Sequence, residues 1–209
     1  MARQERAEQT RRRLIEAAAA EFAAHGYAGT SLLGIVKSAG VTMGALTFHF
    51  SSKSALADAV QEAGAAATRA VLHDEPAPGL SGVLGDTLAL AAALETTPSI
   101  RAAARFTREG RDAESNWYAA WVPHVRAGLE RGWPDERPGS GLTPVSAAAL
   151  LTYVMAGVEA TTSARDALRD ASGADPKDGL AQALQALSAL TAPAKSHRED
   201  ARSLLAADD

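Results

Sequence analysis

The sequence predicts an all-α protein, and three observations predict it. Alanine is abundant while aromatic residues are only 5% of the chain, so residue types that favour strands are sparse. No long segment alternates apolar and polar residues; apolar positions recur instead at intervals of three and four. Clusters rich in Pro and Gly separate these periodic stretches. At 209 residues, 46% of them hydrophobic, the chain can bury a real core as one compact domain or as a small domain on a larger one.

The first helix is predicted over residues 7–24, with Leu14, Ala18 and Phe22 on one stripe and Ile15 beside them. His25 and Gly26 end it, and Tyr27 packs the corner. Thr30 or Ser31 caps a second helix whose Leu32, Ile35, Val36 and Ala39 share an apolar face. Gly40 and Val41 form a turn, and Thr42 is a good N-cap for the run from Met43 to Phe48. That run is too short to be stable unless it packs on its neighbours, so it is a presented helix. A helix, a tight Gly-containing turn and a second short helix are the parts of a helix-turn-helix, whose second member lies in the major groove of DNA. They are equally the parts of an ordinary αα-corner, and the pattern alone leaves both open.

A fourth helix starts at Ser51 or Ser52 and runs through Leu56, Val60 and Ala63 towards Leu72, leaving the small domain behind. This divides the chain into residues 1–53, the DNA-binding candidate, and residues 54–209. HDEPAPGLSG, residues 73–82, is the first clear breaker cluster. Further helices are predicted over 83–95, 99–108, 116–131, 145–170 and 179–192, and a short one over 198–205. Polar loops separate the later ones, among them RGWPDERPGSGLTP, whose three prolines forbid continuous helix. Leu150, Leu151, Val154 and Val158 on one helix, and Leu180, Leu184, Leu187 and Leu190 on the next, make wide apolar faces. Such a pair either fills an internal core or meets its copy in a four-helix dimer interface.

The net charge of −4 disfavours a nucleic-acid partner until its distribution is considered. Residues 1–53 hold seven Lys or Arg against four Glu, and the rest hold 14 basic against 21 acidic groups. The basic end thus coincides with the helix-turn-helix. Arg3, Arg6, Arg11, Arg12 and Arg13 are placed to reach phosphates or a minor groove, although a merely solvated helix face would carry the same residues.

Other function classes find little support. The absence of cysteine excludes disulfides and thiolate chemistry. His25, His49, His73, His124 and His197 are scattered without metal-ligand spacing, and no phosphate-binding or dinucleotide glycine pattern is present. No enzyme activity, metal or cofactor is therefore predicted. The charged start MARQERAEQTRRR leads into no signal-peptide core, and no run of about eighteen apolar residues is evident. A soluble cytoplasmic protein without a membrane partner is the expectation.

The run GYAGTSLLGIVKSAGVTMGALTFHFSSK, residues 26–53, resembles the TetR-type transcriptional repressors. It has their Gly-aromatic pair, the Thr or Ser before the second helix, Ala-Gly-Val-Thr, the aromatic-rich segment ending His-Phe, and the Lys that begins the fourth helix. The opening MARQERAEQTRRRLIEAA, with AGVTMGAL and FHF, is similar more narrowly to the γ-butyrolactone autoregulator receptors of actinomycetes. The resemblance implies an Ω-shaped homodimer with N-terminal DNA-binding domains and C-terminal effector-binding and dimerisation domains. In such proteins ligand binding swings the fourth helix, separates the reading heads and releases operator DNA.

The DNA-facing set it implies here is Thr30, Ser31, Thr42, Met43, Gly44, Ala45, Thr47, Phe48, His49 and Lys53. Gly44 and Ala45 allow close backbone approach, and His49 either touches phosphate or packs the helix corner. Two residues depart from the pattern: Met43 stands where these receptors often have Lys, and Thr47 where the family usually has Tyr. Both changes remove phosphate contacts, so weaker or altered operator binding is expected.

In the second region Trp117 and Trp121, at i and i+4, share a helical face, and Pro123 kinks or restarts their helix. Two tryptophans so spaced are more often core than ligand platform. In the receptors, however, a Trp on this helix lines the ligand pocket, which implies Trp121 as a pocket wall with Trp117 next. Leu88, Phe106, Val125, Leu151 and Met155 are candidates to complete an apolar cavity, and Thr161, Thr152, Tyr153 and Gln61 to orient a ligand. A mostly apolar pocket suits a small lipophilic effector such as a γ-butyrolactone, furan, butenolide or antibiotic. The alternative, raised by Met43 and Thr47, is a degenerate receptor-like dimer with weak or lost DNA or ligand binding that acts as an interaction protein.

Overall fold

The computed structural model describes residues 2–76, 78–111, 116–133 and 143–162. Every described element is helical: α1 (Ala2–Gly29), α2 (Leu32–Ala39), α3 (Met43–His49), α4 (Lys53–Val71), α5 (Gly79–Thr96), α6 (Pro98–Arg108), a 3-10 turn (Trp117–Ala120), α7 (Val122–Gly132) and α8 (Pro144–Thr162). The expected helices over 179–192 and 198–205, with Leu180, Leu184, Leu187 and Leu190, lie outside the described residues.

Local chemistry explains where the boundaries differ from expectation. The break at Gly26 is present (φ 72°, ψ 176°), but Tyr27–Gly29 resume the helix after it. The last four residues of the breaker cluster form the first turn of α5, with Pro78 at its N-cap and Gly79, at φ 78°, opening it. The stretch 116–131 is two elements: a 3-10 turn hands over at Trp121 to α7, which carries Pro123 in its first turn, where a missing N–H breaks no intrahelical bond.

Two apolar clusters fill the interior, and α4 and α6 belong to both. The first gathers Leu14, Ala18 and Phe22 of α1, Ile35 and Val36 of α2, Leu46 of α3, Leu56, Ala57 and Val60 of α4, and Ala102 and Phe106 of α6. The second joins Leu90 and Leu94 of α5, Ile100 and Ala103 of α6, both tryptophans of the 117–121 segment, Val125 and Leu129 of α7, and Leu151 and Met155 of α8, with Ala67 and Val71 of α4 against it. The front of α4 is therefore part of the small domain's core, while its rear belongs to the other. Gly64 lets α4 and α6 meet at their closest: a Cβ there would fall onto the Ser99 carbonyl oxygen and the Ala103 side chain.

Helix α8 is, over residues 144–161, long and apolar enough to cross a membrane by length and composition, which the residue-by-residue reading overlooked. Only 28% of that stretch is buried within the chain. Val145, Leu150 and Tyr153 are exposed on it, whereas Glu159 is buried and paired with Arg108 of α6.

Candidate functional site

The small domain is fastened at each helix end. Ser31 Oγ accepts the Gly34 N–H at 3.0 Å and starts α2. Gly40, at φ 64°, ends it: Val41 N–H reaches the Val36 carbonyl and Gly40 N–H the Lys37 carbonyl, the paired bonds of a left-handed helix stop that glycine adopts without strain. Thr42 Oγ1 then accepts the Ala45 N–H at 3.1 Å and starts α3. The helices α2 and α3 cross at 104°, within the range of a helix-turn-helix. Ser52 caps α4 in the same way, through the Ala55 N–H.

This scaffold turns some of the sequence-derived DNA-facing residues outward. Ser31, Thr42, Met43, Gly44, Thr47 and Phe48 are exposed, and Ala45 and His49 half-buried. Thr30 is turned inward: it is buried, and its hydroxyl donates to the Gly26 carbonyl at 2.8 Å. Lys53 is half-buried with its ammonium 4.6 Å from the Tyr27 ring centre. Two of the arginines read as phosphate candidates also have internal work. Arg13 donates to the Ala39 carbonyl at the end of α2, and Arg11 lies over the Phe50 ring.

In the second cluster Trp117, Trp121, Val125, Leu151 and Met155 come together as expected. Phe106 does not join them; it packs edge-on against Phe22, 5.1 Å between ring centres, in the small domain's core. Leu88 stands exposed on α5 and Tyr153 on α8. The hydroxyls of Thr152 and Thr161 donate to the carbonyls of Ala148 and Gly157, one turn back, and Gln61 is buried on α4.

The two tryptophans, equally buried, differ in their polar ends. Trp117 is tied at both nitrogens: Nε1 donates to Thr68 Oγ1 at 3.0 Å, and its backbone N–H to Thr107 Oγ1 at 2.9 Å. Trp121 is 0% exposed, 5.6 Å from Trp117 between ring centres, and its Nε1 has no hydrogen-bond partner. An unmade buried hydrogen bond costs about 1–3 kcal/mol, so the two indoles, alike in sequence, are chemically distinct.

Sequence reasoning missed the joint between the two clusters. Three arginines, two in the last turn of α6 and Arg111 just beyond it, each grip a different helix. Arg105 Nη1 donates to the Ala23 and Ala24 carbonyls of α1, while its Nε holds Glu109, whose other oxygen accepts the Tyr27 N–H. Arg108 binds Glu159 of α8 at 2.7 Å. Arg111 donates to Ser54 and to Asp58 of α4 and lies against the Tyr27 and Phe106 rings. Burial acts to raise the Glu109 carboxyl, but the Arg105 hydrogen bond, the Tyr27 N–H and the charges of Arg105 and Arg108 outweigh it and hold the group below its ordinary range. Burial, with the Glu159 charge, raises the Tyr118 phenol. The recurrence of arginine every third residue in RFTREGR was the available signal, and it reads locally as a solvated face.

Two histidines that look scattered in sequence also meet. The fully buried Asp86 of α5 has His73 Nδ1 at 2.5 Å from one oxygen and His124 Nε2 at 2.9 Å from the other. Among the described residues no group of three or more His, Cys, Asp or Glu is arranged to hold a metal.

Comparisons with known proteins converge on this architecture. Residues 14–60, from α1 to the front of α4, match the pattern described as bacterial regulatory proteins, tetR family. The A-factor receptor protein of Streptomyces griseus is 29% identical over 180 residues, which are 83% of this chain; the chain spans 62% of that receptor's length. Among solved structures, TylP, a TetR regulator from Streptomyces fradiae, is 33% identical with a TM-score of 0.54, covering 75% of this chain and 76% of that one. The TetR family protein CprB from Streptomyces coelicolor, solved in complex with its biological operator sequence, is 30% identical with a TM-score of 0.61, covering 72% and 78%. A crystal structure of a γ-butyrolactone receptor is 28% identical with a TM-score of 0.63, covering 75% and 79%.

Proposed function

The chain belongs to the TetR family of bacterial regulatory proteins, a family of DNA-binding regulators rather than enzymes, and on that premise we propose that it is a homodimeric repressor released from operator DNA by a small lipophilic effector. The observation that carries the effector reading is the orphaned Nε1 of Trp121 inside an apolar cluster. A donor so placed fits a ligand that is mostly apolar and brings one acceptor, as the carbonyl of a γ-butyrolactone, butenolide or furan does, or that of a lipophilic antibiotic. The resemblance to γ-butyrolactone receptors points to the same chemistry.

The helix-turn-helix supplies the DNA contact, and the exposed apolar residues of α8 suit a second copy of the chain, which would set two heads on half-sites about 34 Å apart. The end of α6 and the turn after it supply a route between the sites, because they hold α1, α4 and α8 at once. Release then follows from population shift: the effector binds better to an arrangement in which the heads do not fit DNA, and a coupling of roughly 2 kcal/mol suffices for tens-fold release. The regulator acts in the cytoplasm, where its operator lies.

The test is retardation of duplexes carrying the protein's own promoter region, followed by challenge with lipophilic metabolites. Trp121→Ala should retain operator binding and lose release, since it lies in a different cluster from α3. A Trp121→Ala protein that still responds fully removes Trp121 from the site. Failure to retain any specific duplex favours the degenerate, interaction-protein alternative.

A further inference from the structure

We propose that α3 reads its operator through thymine methyl groups, with Phe48 and Met43 as the residues that touch them; the proposal rests on the DNA-binding reading above. Across its seven residues, MGALTFH, α3 has no Arg, Lys, Asn, Gln, Asp or Glu. Those side chains, together with Ser and Thr hydroxyls, recognise guanine, adenine and cytosine by hydrogen bonds in the major groove; of them α3 keeps only Thr47.

The two hydroxyls at α3 are engaged locally. The Thr47 hydroxyl donates to the Gly44 carbonyl at 3.1 Å, the Thr42 hydroxyl oxygen accepts the Ala45 N–H, and the half-buried His49 ring lies between those of Phe48 and Phe50 in sequence and contacts both. Outward, α3 is apolar apart from the Thr47 hydroxyl: Phe48 is 79% exposed and Met43 39%, with Gly44 and Thr47 exposed between them. Gly44 between them leaves that face bare, with only Thr42 Oγ1 near the place of a Cβ.

The same domain buries Leu46, Ile35 and Phe22 completely, so an outward Phe and Met contribute nothing to its core. The apolar group that the major groove offers them is the C5-methyl of thymine. Attraction to the duplex comes from other elements: Lys37 is exposed in the last turn of α2, and Arg6 and Arg12 are exposed on α1. Affinity and specificity are thus divided, with cations of α1 and α2 on phosphates and an apolar face of α3 on the bases.

The experiment selects a duplex from a random library with the full-length protein, then compares affinity for that half-site with thymine and with uracil, which pairs alike and lacks only the methyl. Each methyl buried by Phe48 or Met43 should be worth about fourfold in affinity. Phe48→Ala and Met43→Ala should bind the thymine duplex more weakly, and each should cease to distinguish thymine from uracil at the base it touches. Both side chains are exposed, and unchanged thermal melting checks that the variants are folded. Equal wild-type affinity for the two duplexes, or a selected half-site without thymine, overturns the thymine reading while DNA binding stands. Retention of no duplex overturns both.

Discussion

In the small domain Ser31, Thr42 and Ser52 each close the start of a helix with a side-chain bond, whereas α5, α6 and α7 begin at Pro78, Thr97 and Trp121 with none. The helices α2 and α3 have only eight and seven residues, too short to persist alone, so caps and the Gly40 stop set their ends and hence their crossing angle. The longer helices of the second region are held by burying large side chains, Trp117 and Trp121 above all. A surface that must fit DNA is built from many small, directional fasteners. The second region leans more on apolar contact, although α8 begins with Thr143 and Ser146 capping each other.

The contrast can be broken at its largest point first. Trp117→Ala removes a fully buried indole and its hydrogen bond to Thr68 of α4, and should lower stability by about 3–5 kcal/mol in denaturant unfolding. Because α4 and α6 belong to both cores, the small domain should unfold in the same transition; two separated transitions would show that the shared helices do not couple them. Thr42→Ala should be smaller, about 1 kcal/mol, and local. It should speed amide exchange in α3 and weaken operator binding, with only a modest change in global melting; unchanged exchange at Ala45 would show that packing alone holds α3.

The smallest effect lies at the joint between the regions. Glu109 is held below its ordinary value of 4.5, so its stabilising contribution is present above that value and is lost as the pH falls through the lowered one. Glu109→Gln should flatten this part of the acid limb of melting temperature against pH, modestly because the side chain is partly exposed. An acid limb identical to the wild type would remove Glu109 from the linkage.

Several features were legible in the sequence because they are local. Thr42 as a cap, the Gly40 turn, the break at Gly26 and the interruption at Pro123 each depend on residues a few positions apart, and each is present. Thr30 and Ser31 were interchangeable as caps in sequence; only the fold sends Thr30 inward to the Gly26 carbonyl and leaves Ser31 on α2. Phe106 and Leu88 looked as apolar as Met155, yet helix rotation sets one in the small domain's core and the other outside.

By itself, then, the sequence determined that the described part of the chain is helical, where its short helices start and stop, and which quarter of it carries a reading head, because caps, turns and periodicity act over single turns of chain. Tertiary structure alone decided that α4 and α6 serve two cores, that Arg105, Arg108 and Arg111 grip three different helices, and that Trp117 is satisfied while Trp121 is not. Those outcomes depend on partners as far as 82 residues away, and side chains of one type become different groups only when the packed chain supplies or withholds a partner.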